Sequence, residues 1–317
     1  MGFMEYYYPL SRYFRDTFGS PVRKVSVDAG FSCPNRDGLC GTQGCIFCDN
    51  AAFSPARRLS NGTITEQLDV GIARIAARYG SGRYIAYFQP ATNTYAATER
   101  LAALYEQALR HEKIVGLAIG TRPDCLPEPT LDLLADLSQK TWLSLEIGLQ
   151  TSHDRTLEFL RRGHDFACFA DAVHRAKARN LRLGTHVILG LPGETRDQVR
   201  VTAERVAALG LHSVKLHNLY VVKNTPLARL WEAGQVTLPT LEEYAELAVD
   251  FLERLGEETV VERLAGDAPR DFLLAPAWSA NKNPAAAAIL AEFARRNSRQ
   301  GALFSESMPP RLTKPRP

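Results

Sequence analysis

The chain has 317 residues, 38 of them basic and 35 acidic for a net charge of +3, and 45% are hydrophobic. That composition excludes an intrinsically disordered chain, and the near balance of charge offers a polyanion no strong overall field. No run approaches the roughly 18 apolar residues of a membrane-crossing helix, and the N-terminal MGFMEYYYPLSRYFRD lacks the apolar core of a secretion signal, so the expectation is a cytoplasmic protein without membrane contact.

In chain order, a short apolar run at 22–27 opens the pattern, followed by a long loop that carries four cysteines. Further strand-like runs follow at 84–88, 114–119, 142–147, 183–189 and 214–221. Helix-period segments lie between them at 63–79, 94–110, 128–138, 152–160, 166–179 and 195–209. In the second helix Leu101, Leu104, Tyr105 and Ala108 share one face. Thr151 or Ser152 is placed to cap the fourth, and Gly210 marks the end of the sixth. Strands alternating with helices predict βαβ units and a parallel sheet, open or curled. The strand ends are rich in polar and glycine residues, as in Gln89-Pro-Ala-Thr-Asn-Thr and Gly120-Thr-Arg-Pro-Asp, and ligands gather at that edge. Beyond residue 232 the rhythm changes. A helix at 241–255, a strand-like 259–264 and an alanine-rich helix after Pro284 predict a small C-terminal α+β cap over 233–300. Residues 301–317 read as a basic, disordered tail.

Four of the six cysteines, Cys33, Cys40, Cys45 and Cys48, fall within sixteen residues. In a reducing compartment such a group holds a metal rather than disulfides. A closed zinc site wants two separated pairs with knuckle spacing, and only Cys45-Ile-Phe-Cys48 has it. Three cysteines on an iron–sulfur cluster would leave one iron open to a ligand. Cys125 and Cys168 stand alone and read as ordinary half-buried thiols.

Cys33…Cys45-Ile-Phe-Cys48 after a first strand resembles the cysteine loop of radical SAM enzymes, although the first spacing is longer than the superfamily's commonest form. The long spacing is similar to that of the Elongator-catalytic-subunit branch. The phrases GFSCPNRDG, FQPATNTYA, GTRPDCL, LEIGLQTSHDRTLEFLRRGHDF, HVILGLPGE, VKLHNLYVVKNT, RLAGDAP and LLAPAWSANK resemble a bacterial YhcC/YtqA-like subgroup of it. The resemblance implies a partial (β/α)6 TIM-like barrel over 1–232, with the cluster loop at 30–50. It further implies a 4Fe–4S cluster on Cys33, Cys45 and Cys48 with S-adenosylmethionine as cofactor; Cys40 reads as an incidental thiol before an oxidation-prone neighbour or a zinc-like fourth ligand. Phe47 is expected against the adenine. Gln150 and Arg162 match a Gln…Arg-Gly-His pattern in coproporphyrinogen-oxidising relatives, where both approach the cofactor, and Asn93 stands where the superfamily binds the methionyl amine.

Arg122 and Asp124 match a phrase shared with the Elongator branch, their bland alternative being a buried ion pair. Glu194 has the alternative of favouring a helix N-terminus. His153, His164, His186 and His217 read as satisfied structural histidines before substrate contacts. The chemistry implied is reductive cleavage of S-adenosylmethionine to a 5′-deoxyadenosyl radical, fed by a one-electron donor such as flavodoxin or ferredoxin. A closed apolar barrel is expected to shelter it. By the same resemblance the substrate is tRNA, at the C5 substituent of wobble uridine. An acetyl-coenzyme A donor is not expected. Arg12, Arg15, Arg23, Lys24, Arg57, Arg58 and the six basic residues from Arg295 onward (Arg295, Arg296, Arg299, Arg311, Lys314 and Arg316) are the candidate phosphate contacts. The rivals are a small-molecule or peptide substrate, and a non-catalytic protein with a four-cysteine zinc site.

Overall fold

The computed structural model describes residues 5–54, 56–57, 62–80 and 82–305. Each expected strand forms. They are β1 (Val22–Val27), β2 (Arg83–Phe88), β3 (Ile114–Thr121), β4 (Trp142–Gln150), β5 (Arg182–Leu189) and β6 (Ser213–Asn218). The run expected at 214–221 breaks after Asn218, whose side chain turns to Ser279 and the Gly266 amide, and a two-residue strand β7 (Val221–Val222) follows. β8 (Val260–Arg263) and β9 (Leu273–Ala275) complete the set, β9 pairing antiparallel with β7.

The main sheet has seven parallel strands in the order β1-β2-β3-β4-β5-β6-β8. The segment read from sequence as a cap therefore supplies a seventh strand. Its valines are too few to show from periodicity which sheet they join. At about 4.8 Å per strand step, a flat sheet would hold β1 and β8 roughly 29 Å apart. Instead Lys24 on β1 has Nζ 2.5 Å from both Glu146 on β4 and Glu262 on β8, so the sheet curls into a partial barrel.

Period-2 alternation sorts the side chains. Leu143, Leu145, Ile147 and Leu149 of β4 face the surrounding helices in the main core, while Ser144, Glu146 and Gly148 face the lumen. The helix Leu10–Phe18 sets Phe14 against Trp142, Ile85 and Tyr87 and closes the N-terminal ends of the strands. Capping boxes Thr63/Glu66, Thr195/Gln198 and Thr240/Glu243 start three of the helices. The helix expected at 94–110 begins only at Thr98, because the Thr94 hydroxyl is committed to Thr121 and to the Cys125 carbonyl. Neither Thr151 nor Ser152 caps the helix Asp154–Phe159. Their hydroxyls bond Glu194 and Thr202, and His153 holds the cap position without a side-chain bond. Gly210, at φ +59°, does end the helix Arg196–Ala208, and its N–H bonds the Ala207 carbonyl. Residues 301–305 of the expected tail form a turn, in which the Gly301 and Leu303 amides bond the carbonyls of Leu252 and Glu253. Residues 306–317 lie outside the described residues.

Candidate active site

The cysteine loop leaves the C-terminal end of β1 and folds over the barrel mouth. Its first turn is closed by the Arg36 and Asp37 amides on the Cys33 carbonyl. Cys45 is buried, and Cys33 and Cys48 are half-buried. Cys45 Sγ accepts from Arg162 Nη1 at 3.2 Å and Asn35 Nδ2 at 3.4 Å, donors that suit a thiolate more than a thiol. Burial lifts the Cys48 thiol to about 12, with Cys45 adding and Arg36 opposing, so a metal has to displace that proton. Among the described residues no three His, Cys, Asp or Glu side chains form a ready cage for a single ion. A cubane cluster takes each thiolate on a different iron and does not need one, whereas a four-cysteine zinc site does. Cys40 is exposed, its sulfur 4.0 Å from Asp124.

The remaining candidates converge on this loop from neighbouring strand ends. Arg162 is 7% exposed and spans from Cys45 to the Gly148 carbonyl of β4 (Nη2 to O, 2.8 Å), while its Nε is buried without a partner. Gln150 ends β4 at φ +80°, a conformation that turns the chain toward the mouth and is rare for a residue with a Cβ. Asn93 is fully buried after β2. Its Nδ2 donates to the Gly120 carbonyl at 2.9 Å, and its Oδ1 is left unpaired. Phe47 is half-buried and packs on a cluster with Ile46, Leu160 and Ile188. Arg122, 3% exposed, makes a two-pronged pair with Asp124 at 2.9 and 2.8 Å, so it is the buried ion pair its bland reading describes, yet its Nη1 also lacks a partner. Together Arg162 Nε, Arg122 Nη1, Asn93 Oδ1 and Thr92 Oγ1 are buried polar atoms with nothing to bond. Such atoms are costly unless a polar ligand meets them, and a group with amine, carboxylate and hydroxyl functions fits that set.

Asn35, not singled out from sequence, ties the loop down by donating to the carbonyls of Arg161 and Arg162 at 2.8 and 3.0 Å. Gly163 must be glycine there. Its φ is +70°, and a Cβ would sit 2.7 Å from Asn35 Oδ1.

Below the mouth the expected apolar lumen is charged. Lys24, Glu146, Lys215 and Glu262 form a buried network, with Lys215 Nζ on Glu146 and 3.5 Å from Glu262. The Tyr87 hydroxyl adds a bond to Glu146 at 2.9 Å. His186 lies 2.7 Å from Glu146 and its ring is 5.5 Å from that of His217. Burial and the nearby cations keep both histidines below their ordinary value, hence neutral. Burial works to raise the Glu146 carboxyl, but Lys215 and Lys24 outweigh it and hold it well below 4.5. A charge inside an otherwise apolar strand, as in TrpLeuSerLeuGlu146, was the available signal for this network. His153 is satisfied by the Gln198 carbonyl, and Glu194 accepts from Thr151 rather than from a helix end. His164, pushed down to about 2 by burial and by Arg162 and Arg122, is neutral.

The candidate phosphate contacts are mostly spoken for. Lys24 is in the lumen. Arg12 pairs with Glu5, Arg57 with Asp28, Arg295 with Glu292, Arg296 with Asp250 and Arg299 with Glu257. Arg58, Arg311, Lys314 and Arg316 lie outside the described residues.

Known proteins share this fold and long stretches of this sequence. Family models match the radical SAM superfamily over residues 39–206 and the Radical_SAM C-terminal domain over 211–295. The chain is 40% identical over 299 residues to the uncharacterized protein YtqA of Bacillus subtilis, covering 94% of this chain and 92% of that one. It is 26% identical over 166 residues to a tRNA uridine(34) acetyltransferase of Methanocaldococcus jannaschii, covering 51% of this chain and 30% of that protein. Its fold is similar to archaeal Elp3 of Methanocaldococcus infernus, with TM-score 0.68 at 17% identity, covering 88% of this chain and 64% of that one.

Proposed function

The chain belongs to the radical SAM superfamily, and from that premise we propose that it is an RNA-modifying enzyme acting on the C5 substituent of the wobble uridine of tRNA. The family's cofactors are a 4Fe–4S cluster and S-adenosylmethionine. Bound, they supply one-electron cleavage of a sulfonium and a carbon radical able to take hydrogen from substrate. Cys33, Cys45 and Cys48 would ligate the cluster. The observation that carries this reading is Arg162, whose guanidinium reaches the Cys45 sulfur and the β4 edge and still keeps a buried N–H free. That N–H and the Gln150 amide would hold a carboxylate, Asn93 Oδ1 would receive an amine, and Phe47 would cover an adenine face. The helix Leu10–Phe18, with Phe14 packed on Val22, Ile85 and Tyr87, would close the floor of the barrel to bulk water.

The uridine substrate is supported by the named relative that acts on tRNA uridine 34. A charged small molecule or peptide is the second reading, favoured by the ionic lumen. Nucleoside mass profiling of tRNA from a deletion strain separates them. Loss or accumulation of one wobble-uridine derivative is expected for the RNA enzyme, and unchanged wobble uridines refute it.

A further inference from the structure

Every lumen lysine has a carboxylate partner: Lys24 meets Glu146 and Glu262, and Lys215 meets the same two. Arg263, at the C-terminal end of β8, does not. Among the described residues no carboxylate lies within 4.0 Å of its guanidinium. Its Nη2 lies against the His217 ring, 2.7 Å from Nε2, and its Nε is buried with no partner at all. His217 supplies no counter-charge, since a neutral imidazole can only accept from one N–H. Among the described residues two lysines and Arg263 stand against two glutamates in the lumen, one cation in excess, and that cation stands at the C-terminal, ligand-binding edge of the sheet.

Its surroundings are built rather than incidental. A Cβ on Gly266 would come within 3.3 Å of both Arg263 Nη2 and Tyr220 Cε1, so glycine leaves the fork room beside an aromatic edge. Tyr220 in turn packs on Phe53, at the end of the short helix Asn50–Phe53 that leaves the cysteine loop, with ring centroids 6.1 Å apart. Burial raises the Tyr220 hydroxyl to about 12, with Arg263 opposing and Asp267 and Cys48 adding.

We propose that Arg263 is the specificity-determining residue that pairs with an anionic group, a carboxylate or a phosphate, of the substrate at the barrel mouth. A half-buried guanidinium with a free N–H presents a planar fork to such an oxyanion, and a neutral substrate would leave that cation without compensation. This inference rests on the proposed function only in that the anion belongs to the substrate that enters this barrel. The S-adenosylmethionine carboxylate is assigned to Gln150 and Arg162, at and just after the C-terminal end of β4, three strand steps away along the same edge.

The test titrates inorganic phosphate and, separately, acetate into the reconstituted full chain, and follows the arginine Nε–Hε resonances in the wild type, Arg263→Gln and Arg263→Lys. One saturable shift is expected at Arg263. Affinity falls about tenfold or more in Arg263→Gln, as for loss of a hydrogen bond to a charged group, and is partly kept in Arg263→Lys. S-adenosylmethionine affinity stays unchanged in Arg263→Lys, the variant that keeps the charge should Arg263→Gln fail to fold. Saturation by phosphate alone assigns a nucleotide phosphate, and saturation by acetate assigns a carboxylate. No saturable shift at Arg263, equal anion affinity in folded Arg263→Gln, or a parallel loss of S-adenosylmethionine binding overturns the proposal. Saturable anion binding beside unchanged wobble uridines in the deletion strain would refute the RNA reading and leave this one standing.

Discussion

Replacing Glu146 by Gln removes the charge from the centre of the lumen while keeping its shape. Glu146 is 1% exposed and faces Lys24 at 2.5 Å, Lys215, His186 at 2.7 Å and the Tyr87 hydroxyl at 2.9 Å. The variant leaves two buried ammonium groups sharing Glu262 alone. Breaking a buried ion pair from one side costs about 3–5 kcal/mol, because the desolvated partner remains charged. With an unfolding entropy of about 2 cal/mol/K per residue, 317 residues give about 0.7 kcal/mol/K, so Tm should fall by about 4–7 °C. The assay is urea and thermal unfolding at pH 7 with the slope m held constant, beside the double variant Glu146→Met, Lys215→Met. Replacing both partners removes the orphaned charge, so the double variant should recover part of the loss. The acid limb adds an independent check. Because the folded Glu146 carboxyl is held below its ordinary 4.5, its contribution is present above that value and is lost as pH falls through the folded value. Glu146→Gln should therefore lack part of the wild type's acid destabilisation. A cost under about 1 kcal/mol, or a double variant no more stable than the single, would refute the view that mutual ion pairing holds the lumen together.

The cysteines give a direct test of the ligand set. After anaerobic reconstitution Cys33→Ala, Cys45→Ala and Cys48→Ala should lose bound iron and sulfide, whereas Cys40→Ala should keep both, and metal analysis that finds one zinc in place of iron would return the four-cysteine reading. Gly163→Ala meets both a +70° φ and a Cβ 2.7 Å from Asn35, so it should lower iron occupancy and cost about 1–3 kcal/mol in thermal unfolding. Asp250, 2% exposed, bonds Arg196, Arg200 and Arg296 and ties together the helices Arg196–Ala208, Leu241–Leu252 and Lys282–Arg296. Burial raises its carboxyl, but the bonds from Arg196 and Arg296 prevail and pull it from 3.8 down to about 2. Its share of stability is thus full above about pH 4 and lost between about pH 4 and 2. Asp250→Asn should cost about 1–3 kcal/mol at pH 7 and show a flatter acid limb in denaturant titrations.

The alternation of short apolar runs with helix-period segments was enough to place six parallel strands and their crossovers, because both signals are local. The cysteine loop was likewise legible as a motif, since the chemistry of soft ligands is a property of residue type and spacing, whereas Arg162 was singled out only by resemblance to relatives. The loop's anchoring was not. Asn35 looks like a turn residue until the chain after β4 is folded back within 3.0 Å of its amide. The seventh strand was missed for a similar reason, since Val260–Arg263 can be told from a cap strand only by the partner it pairs with.

The lumen marks the boundary between the two kinds of information. Period-2 alternation in the sequence by itself determines that Ser144, Glu146 and Gly148 share one face of their strand. What that face meets depends on curvature. In a flat sheet Lys24 at one edge would be solvated, which is how a cation between apolar residues reads, and Glu262 at the other edge would lie roughly 29 Å away. Curling brings both edges onto Glu146, turns a surface cation into a buried ion pair, and leaves Arg263 as the one lumen cation with no acid beside it among the described residues. The sign and excess of charge at the mouth are therefore properties of the closed register, because Coulomb pairing depends on distance through space and not along the chain.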